Sequence, residues 1–413
     1  MAAMVLRGVL VLLSLLSAAP AARAQALPGP DAAPRISLLT VGPGDIYFER
    51  CGHNAIVVRG PGGGEARAYN YGIFDFEQQD FLLNFARGRM LYRVAVDALD
   101  DDLAMYRLEG RSVTEQDLRL TPDQARALAG FLAWNVQPEN AQYRYDYFEA
   151  NCSTRVRDAL DNALGGALHA QTEGRSRGYT WRLDALRLMR PEPLLMLAID
   201  LGLGPYADRR IDFWQESFVP ATLHDVVART TVDAGGARAP LVTGERAIAR
   251  GRVEEPPALP PDLRWPFLGL GLASGVLLLR AGRARHAAAR IALAAFAGTF
   301  ELLCGLGGVV LLSLWFGTEH HAAWRNENLF LLDPLCLALV PAWLCRARAR
   351  WRPSRATTAI AWFVVLAAAF ALFSKVLPWF GQANLAWIVL LLPIHLGLAA
   401  GLRPPRSGAI AAA

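Results

Sequence analysis

Cys152 stands in the stretch FEANCSTRVRDAL, directly after an asparagine. Behind it Val156, Ala159, Leu160, Ala163 and Leu164 recur at three and four residues, a spacing that predicts an amphipathic helix with Asn151 as its N-cap. A sulfur on the first helical residue lies beside backbone N–H groups at the positive end of the helix dipole, an environment that favours thiolate over thiol. A thiolate attacks acyl carbons and needs a base within hydrogen-bond reach. The candidates before the apolar tail are His53, His169 and His224. His53 opens the β-branched run HNAIVV, where a strand would fix its direction, whereas His169 sits in the loop-like GGALHAQTEGRSRG. Cys152 and His53 are therefore the expected nucleophile and base. Structural roles for both, or a disulfide from Cys152 to Cys51 in an oxidising compartment, are the competing readings. Cys51 and His53 would share a face if that segment were extended.

The elements that must position these groups are a hairpin and two helices. HNAIVV (53–58), the glycine-rich turn GPGGGE (60–65) and ARAYNYGIF (66–74) read as strand, turn and strand. EQQDFLLNFARG (77–88) predicts a short helix, RMLYRVAV (89–96) and RSVTEQDLRL (111–120) predict strands, and TPDQARALAGFLAWNV (121–136) opens a helix with Thr121 as cap and Pro122 at the first position. The mixture predicts an α+β domain. The imidazole needs an orienting group. Asn70 on the returning strand is the first choice, with Tyr69 and Asp75 behind it, and the backbone N–H of Cys152 or Ser153 would supply an oxyanion hole. Asp146, Thr154 and Arg155 read as structural.

Hydropathy divides the 413 residues. Residues 1–24 have a basic start, an apolar core and the small-residue ending ARA, which predicts a secretory signal peptide cleaved after Ala24, with an uncleaved anchor as the alternative. Residues 25–238 form the exported domain, 239–263 a linker rich in Pro, Arg and Glu, and 264–403 an all-α membrane domain of about five transmembrane helices, over roughly 265–280, 289–316, 327–345, 357–376 and 385–402. Arginines crowd the first and third connections and follow the last span, which places those loops in the cytoplasm and the exported domain outside. The net charge of +5 owes much to these arginines and is no argument for nucleic acid. Cys304, Cys336 and Cys345 fall in the spans, where a thiol ordinarily packs. On the outer side, the loop GTEHHAAWRNEN (317–328) brings His320, His321 and Trp324 towards lipid headgroups or the exported domain, or serves as an interfacial anchor. Glu301, Asp333 and His395 within the spans line an acyl route or tie helices together.

CGHNAIVV followed about a hundred residues later by NCSTRVRDAL resembles the circularly permuted papain-like fold of the NlpC and lecithin:retinol acyltransferase superfamily. TVGPGDIYFERCGHNAIVV, YNYGIFDF, RSVTEQDLRL and YRYDYFEANCSTRVRD, with the later RNENLFLLDPLCL and the polytopic tail, resemble the Lnb-type lipoprotein N-acyltransferases. Cys51 departs from that pattern, standing where a bulky apolar residue is expected.

The resemblance implies Cys152 as nucleophile and His53 as base in a bacterial inner-membrane enzyme with a periplasmic catalytic domain. Its partners would be a glycerophospholipid acyl donor, a lipoprotein acceptor and the membrane, with no metal and no diffusible cofactor. The alternatives are a membrane-tethered cysteine peptidase or amidase acting on peptidoglycan and a non-enzymatic lipid-binding or assembly protein. A five-span tail favours lipid chemistry over the peptidase.

Overall fold

The computed structural model describes residues 33–402 except 62–63, 75–77, 79, 285 and 349–350. The proposed signal peptide and Asp75 therefore lie outside the described residues. Seven antiparallel strands form one sheet in the order β6 (Gln142–Arg144), β4 (Leu91–Ala98), β3 (Ala66–Ile73), β2 (His53–Arg59), β1 (Arg35–Val41), β5 (Val113–Leu118) and β9 (Val242–Ala249). β7 (Thr231–Asp233) and β8 (Arg238–Pro240) make a separate ribbon. β9 pairs with β5 from Val242 to Ala249, so the sheet takes in chain that its Arg and Glu content marks as linker. An edge strand with one open side tolerates those charges.

Both faces of the central strands are covered, which is why ISLLTV and AIVV are apolar at consecutive positions rather than alternate ones. On one face Leu38, Ile56 and Tyr71 pack against Val156, Ala159 and Leu160 of a helix that begins at Cys152. On the other, Leu39, Val41, Ala55 and Val57 pack against Leu99, Leu103 and Tyr106. The helices that matter for the site are α1 (Phe81–Ala86), α2 (Leu99–Glu109), α3 (Pro122–Asn135), α4 (Cys152–Ala163) and α5 (Pro193–Gly202). α3 carries the expected cap, with Thr121 Oγ1 accepting from the Gln124 N–H at 3.2 Å. α2 was not expected, yet three aspartates in its first turn and Gly110 at its end are ordinary helix-boundary chemistry.

The tail is helical: α6 (Arg264–Arg283), α7 (Ala287–Gly317), α8 (Cys336–Arg346), α9 (Arg355–Phe373) and α10 (Leu385–Gly401). Among the described residues three helical segments, Arg264–Arg283, Ala287–Gly317 and Arg355–Val376, are long and apolar enough to cross a membrane, while α8 and α10 are shorter apolar helices. The third expected span is broken. Glu327–Phe330 is a 3-10 turn, and Pro334, lacking a backbone N–H, precedes the 11 residues of α8. α6 and α10 meet along glycine-bearing faces, Gly271, Gly275 and Gly282 lying close to the backbone of α10.

Candidate active site

α4 is held at its first turn by a reciprocal cap. Asn151 Oδ1 accepts from the N–H groups of Ser153 and Thr154, both at 2.9 Å, and Thr154 Oγ1 accepts from the Asn151 N–H at 2.8 Å. The Asn151 amide donates to the Phe218 carbonyl at 2.9 Å, tying the cap to a neighbouring loop. The buried Ser153 hydroxyl lies 2.8 Å from Asn54 Oδ1 and 2.6 Å from the Ser217 carbonyl, which joins the helix start to β2. Gly72 has a φ of +91°, and a Cβ there would come within 3.3 Å of Cys152 Cβ. A side chain at position 72 would thus be strained by its backbone and tight against the cysteine.

The backbone N–H groups of Asn54, Ser153 and Cys152 itself and the Arg111 guanidinium lie close enough to the Cys152 sulfur to act on its charge. Asn54 directly follows His53, so the start of β2 brings peptide and imidazole to the same end of the sheet. His53 Nε2 is 3.0 Å from Asn70 Oδ1, and the Asn70 amide donates to Asp102 Oδ2 at 2.8 Å. The amide orientation is fixed by the acceptor behind it. Nε2 therefore carries the ring proton, leaving the lone pair on Nδ1.

Burial raises the Cys152 thiol above its ordinary range, and the three amides and Arg111 only partly oppose that rise. This corrects the expectation of a standing thiolate, because removing the sulfur from water outweighs the helix-end amides. Burial likewise lowers His53 to about 4; the Asn70 hydrogen bond opposes the shift and Arg111 adds to it. At neutral pH the pair rests as thiol and neutral imidazole.

Cys51 also departs from expectation. Gly52, with a φ of +83°, turns the chain between it and His53, so β2 begins at His53 and the two do not share a strand face. Cys51 packs beside Phe148, Trp181 and Phe218 instead. Its thiol is pushed up to about 12, first by burial, then by Cys152 and Asp184, against the opposing pull of Arg187. Both cysteines are free thiols.

A row of aromatic rings passes the sulfur. Tyr145, close enough to Cys152 to feel its charge, stacks on Tyr92 at 4.2 Å; Tyr92 meets Phe74 at 5.5 Å, Phe74 meets Phe48 at 6.2 Å, and Phe48 meets Tyr47 at 5.3 Å. In the other direction Tyr145 meets Tyr147 at 6.1 Å, and Tyr147 stacks on His320 of the membrane domain at 6.0 Å. The outer end is apolar and open, with Ile46, Tyr47 and Phe48 each about half exposed.

A family model for the Lnb N-terminal periplasmic domain matches residues 32–189, and one for the Lnb transmembrane domain matches residues 284–401. The chain belongs to the Lnb family. It is accordingly a membrane protein whose N-terminal domain is periplasmic, and the order of its two parts is that of the family. Comparison with curated proteins and with solved structures returned no match.

The remaining expected residues divide between the sheet and the outer loop. Tyr69, one residue from Asn70, packs against the opposite face with the α4 core and is no partner of His53. His320 joins the two Lnb parts: its Nε2 is 3.1 Å from the Phe85 carbonyl, and the preceding Glu319 pairs with Arg89 at 2.7 Å and with Arg144. α5 continues the junction, its Asp200 accepting from the Trp387 indole at 2.8 Å. His321 and Trp324 line a cavity of about 1120 Å³ together with Arg209, Arg325 and Trp379. It shares Leu329 and Phe330 with an apolar groove of about 510 Å³ between membrane helices. Arg325 holds a φ of 54°, rare outside glycine.

The sequence reading passed over Asp102, Arg111 and the aromatic row. Arg111 opens the RSVTEQDLRL stretch, but its closeness to Cys152 depends on how the strands pair. Tyr143, Tyr145 and Tyr147 alternate at a period of two, a legible strand signal; the row itself gathers rings from five separated segments.

Proposed function

We propose that this Lnb-family chain is a thiol-dependent acyltransferase, with the permuted papain-like fold in its periplasmic domain and the bacterial inner membrane as its location. It moves a fatty acyl chain from a membrane glycerophospholipid, through a thioester on Cys152, to the N-terminal amine of a lipoprotein. The observation that carries the reading is the aromatic row from open apolar residues, past the Cys152 sulfur, to the membrane loop. A hydrophilic peptidoglycan strand gains little from such a lining, whereas an acyl chain is stabilised along it by roughly 0.8 kcal/mol per buried methylene.

His53, neutral at working pH, takes the Cys152 proton on Nδ1 as the sulfur attacks the ester carbonyl. The new imidazolium is held by the Nε2–H bond to Asn70, backed by Asp102. The Cys152 N–H, which the Asn151 cap does not engage, stabilises the oxyanion. Collapse breaks the acyl–oxygen bond, the imidazolium protonates the departing glycerol oxygen, and lysophospholipid leaves. The lipoprotein amine then attacks the thioester, His53 receives its proton, and the sulfur departs and is reprotonated. No metal or diffusible cofactor enters these steps. The cavity with Arg209 and Arg325 suits a phosphate headgroup, and the adjoining groove suits its chains.

The test uses the full-length protein with phospholipid carrying a labelled acyl chain, followed by a diacylglyceryl-cysteine peptide. The expected result is a hydroxylamine-labile acyl group on the Cys152 peptide, then label on the peptide amine. Cleavage of muropeptides with no acyl adduct would replace the reading with a cysteine peptidase. Full function in cells carrying both Cys152→Ala and His53→Ala would make the protein a non-enzymatic lipid binder.

A further inference from the structure

The helical bundle holds a second group of chemistry-bearing side chains that the acyl-transfer reading does not use. Glu301 on α7, Cys336 at the start of α8 and His395 on α10 bring a carboxylate oxygen, a sulfur and a ring nitrogen within 4.8 Å of one another. All three residues are at most 2 % exposed. Cys304, one turn after Glu301 on α7, packs in the same small cluster as Cys336. The donors come from three different helices, so their meeting is a property of the packed bundle.

Two atoms of the group have no hydrogen-bond partner, Glu301 Oε2 and His395 Nδ1. His395 Nε2 is 2.9 Å from the Leu331 carbonyl and so carries the ring proton, which leaves Nδ1 as a bare acceptor. A carboxylate oxygen and an imidazole lone pair that share a dry pocket repel unless something positive stands between them. A proton would satisfy those two atoms. The Cys336 thiol and the Trp343 indole also lie within hydrogen-bond reach of the Glu301 carboxylate, and a second thiol, Cys304, stands beside them. Carboxylate, imidazole and thiolate together are the donor set of a zinc-class ion. The bond from His395 to a backbone carbonyl is also the usual way a metal-binding imidazole is oriented. A divalent ion with one carboxylate and one thiolate is net neutral, the charge state that costs least at hydrocarbon depth.

We propose that Glu301, Cys336 and His395 bind a zinc-class divalent cation that clamps α7, α8 and α10 together. Tetrahedral bonds of about 2.0–2.3 Å set donor atoms about 3.3–3.8 Å apart, so donors within 4.8 Å of one another need to draw together by at most about 1.5 Å. Binding releases the Cys336 proton to solvent. The inference does not rest on the acyl-transfer reading, and either can fail alone.

The test is a cobalt(II) titration of full-length protein, purified in detergent and stripped with chelator. Wild-type protein is expected to take up roughly one equivalent per chain, with the near-ultraviolet sulfur-to-cobalt band and intense visible bands of a tetrahedral thiolate site, all bleached by zinc. Cys152→Ala should leave the spectrum intact, which separates this site from the periplasmic thiol. Cys336→Ser should remove the sulfur band. Glu301→Gln, which keeps the side-chain volume and gives His395 Nδ1 a donor, should stay folded and bind at least 10-fold more weakly. Should Cys336→Ser fail to fold, Glu301→Gln still reads the site. Wild-type protein that takes up neither cobalt nor zinc, or a sulfur band that survives Cys336→Ser, overturns the proposal and leaves a shared proton as the occupant.

Discussion

The end of the periplasmic sheet carries Cys152 and His53, the middle of the membrane bundle carries Cys336 and His395, and the groups around them are completed differently. At the sheet end the chain supplies Asn70 and then Asp102 behind His53, and three backbone amides near enough to the Cys152 sulfur to favour its charge. In the bundle His395 is anchored on one side by the Leu331 carbonyl, while its other nitrogen and Glu301 Oε2 are left unpaired. Under the proposed function, the Asn70–Asp102 chain behind His53 serves a proton that moves and returns in each cycle. A network left open in a dry interior has a place for a ligand. Two similar residue pairs thus imply different chemistry because of what stands behind each ring, not because of the pair itself.

The sharpest way to break this contrast is to remove each sulfur in turn. Cys152→Ala should abolish acyl transfer, by about 10⁴-fold or more, with metal uptake unchanged. His53→Ala should cost about 10²–10⁴-fold, the usual worth of a general base. Both are read by mass spectrometry of lipoprotein N-termini and by acyl labelling of the purified protein. If Cys336→Ser silenced transfer as completely as Cys152→Ala while the fold was kept, the two regions would not be separate sites.

The next test concerns the groups behind His53. Asn70→Ala removes the acceptor that fixes the ring and should lower kcat by roughly 10-fold or more with little change in KM, since the lost contact matters most once the imidazolium forms. Asp102→Asn keeps the shape and removes the charge, so a smaller loss is expected. Equal losses from Asn70→Ala and Asp102→Asn would mean that the carboxylate, rather than the amide, orients the ring.

How far this arrangement was legible beforehand depended on whether its parts are local. Asn151, Cys152 and the apolar spacing after them declare a capped helix from a dozen residues, and the hairpin around the glycine turn puts Asn70 back beside β2. Tyr69 and Asn70 were separable only by strand register, which sends adjacent side chains to opposite faces. Asp102 needed α2 to be recognised, and its acidic first turn and terminal glycine were there to be read. Arg111, the aromatic row and the meeting of Glu301 with Cys336 and His395 join segments distant in sequence, and no local pattern announces such contacts. The thiolate expected from the helix dipole failed for a related reason: burial depends on the whole fold, and here it outweighs the amides.

The pH dependence of Cys152 tests that balance. With the thiol raised above 9.0 and His53 lowered to about 4, alkylation of Cys152 should keep climbing with pH through 9 rather than level off from pH 5 upward. His53 loses its proton above about 4, so it is a competent base across the neutral range and activity should fall only as pH drops towards 4. Arg111 favours the thiolate and disfavours the imidazolium, so Arg111→Ala should move the alkylation curve to higher pH and the acid limb of activity upward as well. A plateau in Cys152 alkylation near pH 6, found by peptide mapping, would show a standing ion pair and refute the neutral resting state.

The smallest effect is expected at the other periplasmic thiol. Cys51 sits among Phe148, Trp181 and Phe218 with its proton held to about 12, so at neutral pH it is neither nucleophile nor base. Cys51→Ser trades a soft apolar group for a hydroxyl in that pocket, which should cost about 1–3 kcal/mol of stability and leave the rate per folded molecule within about twofold. The same substitution asks whether the two thiols ever join. If oxidant silences the wild-type protein and reductant restores it, while Cys51→Ser is unaffected by oxidant, then Cys51 reaches Cys152 through motion at Gly52, and the separation of the resting thiol from its neighbour is conditional. If both proteins respond alike, Cys51 is only part of the packing, and the network at the end of the sheet works without it.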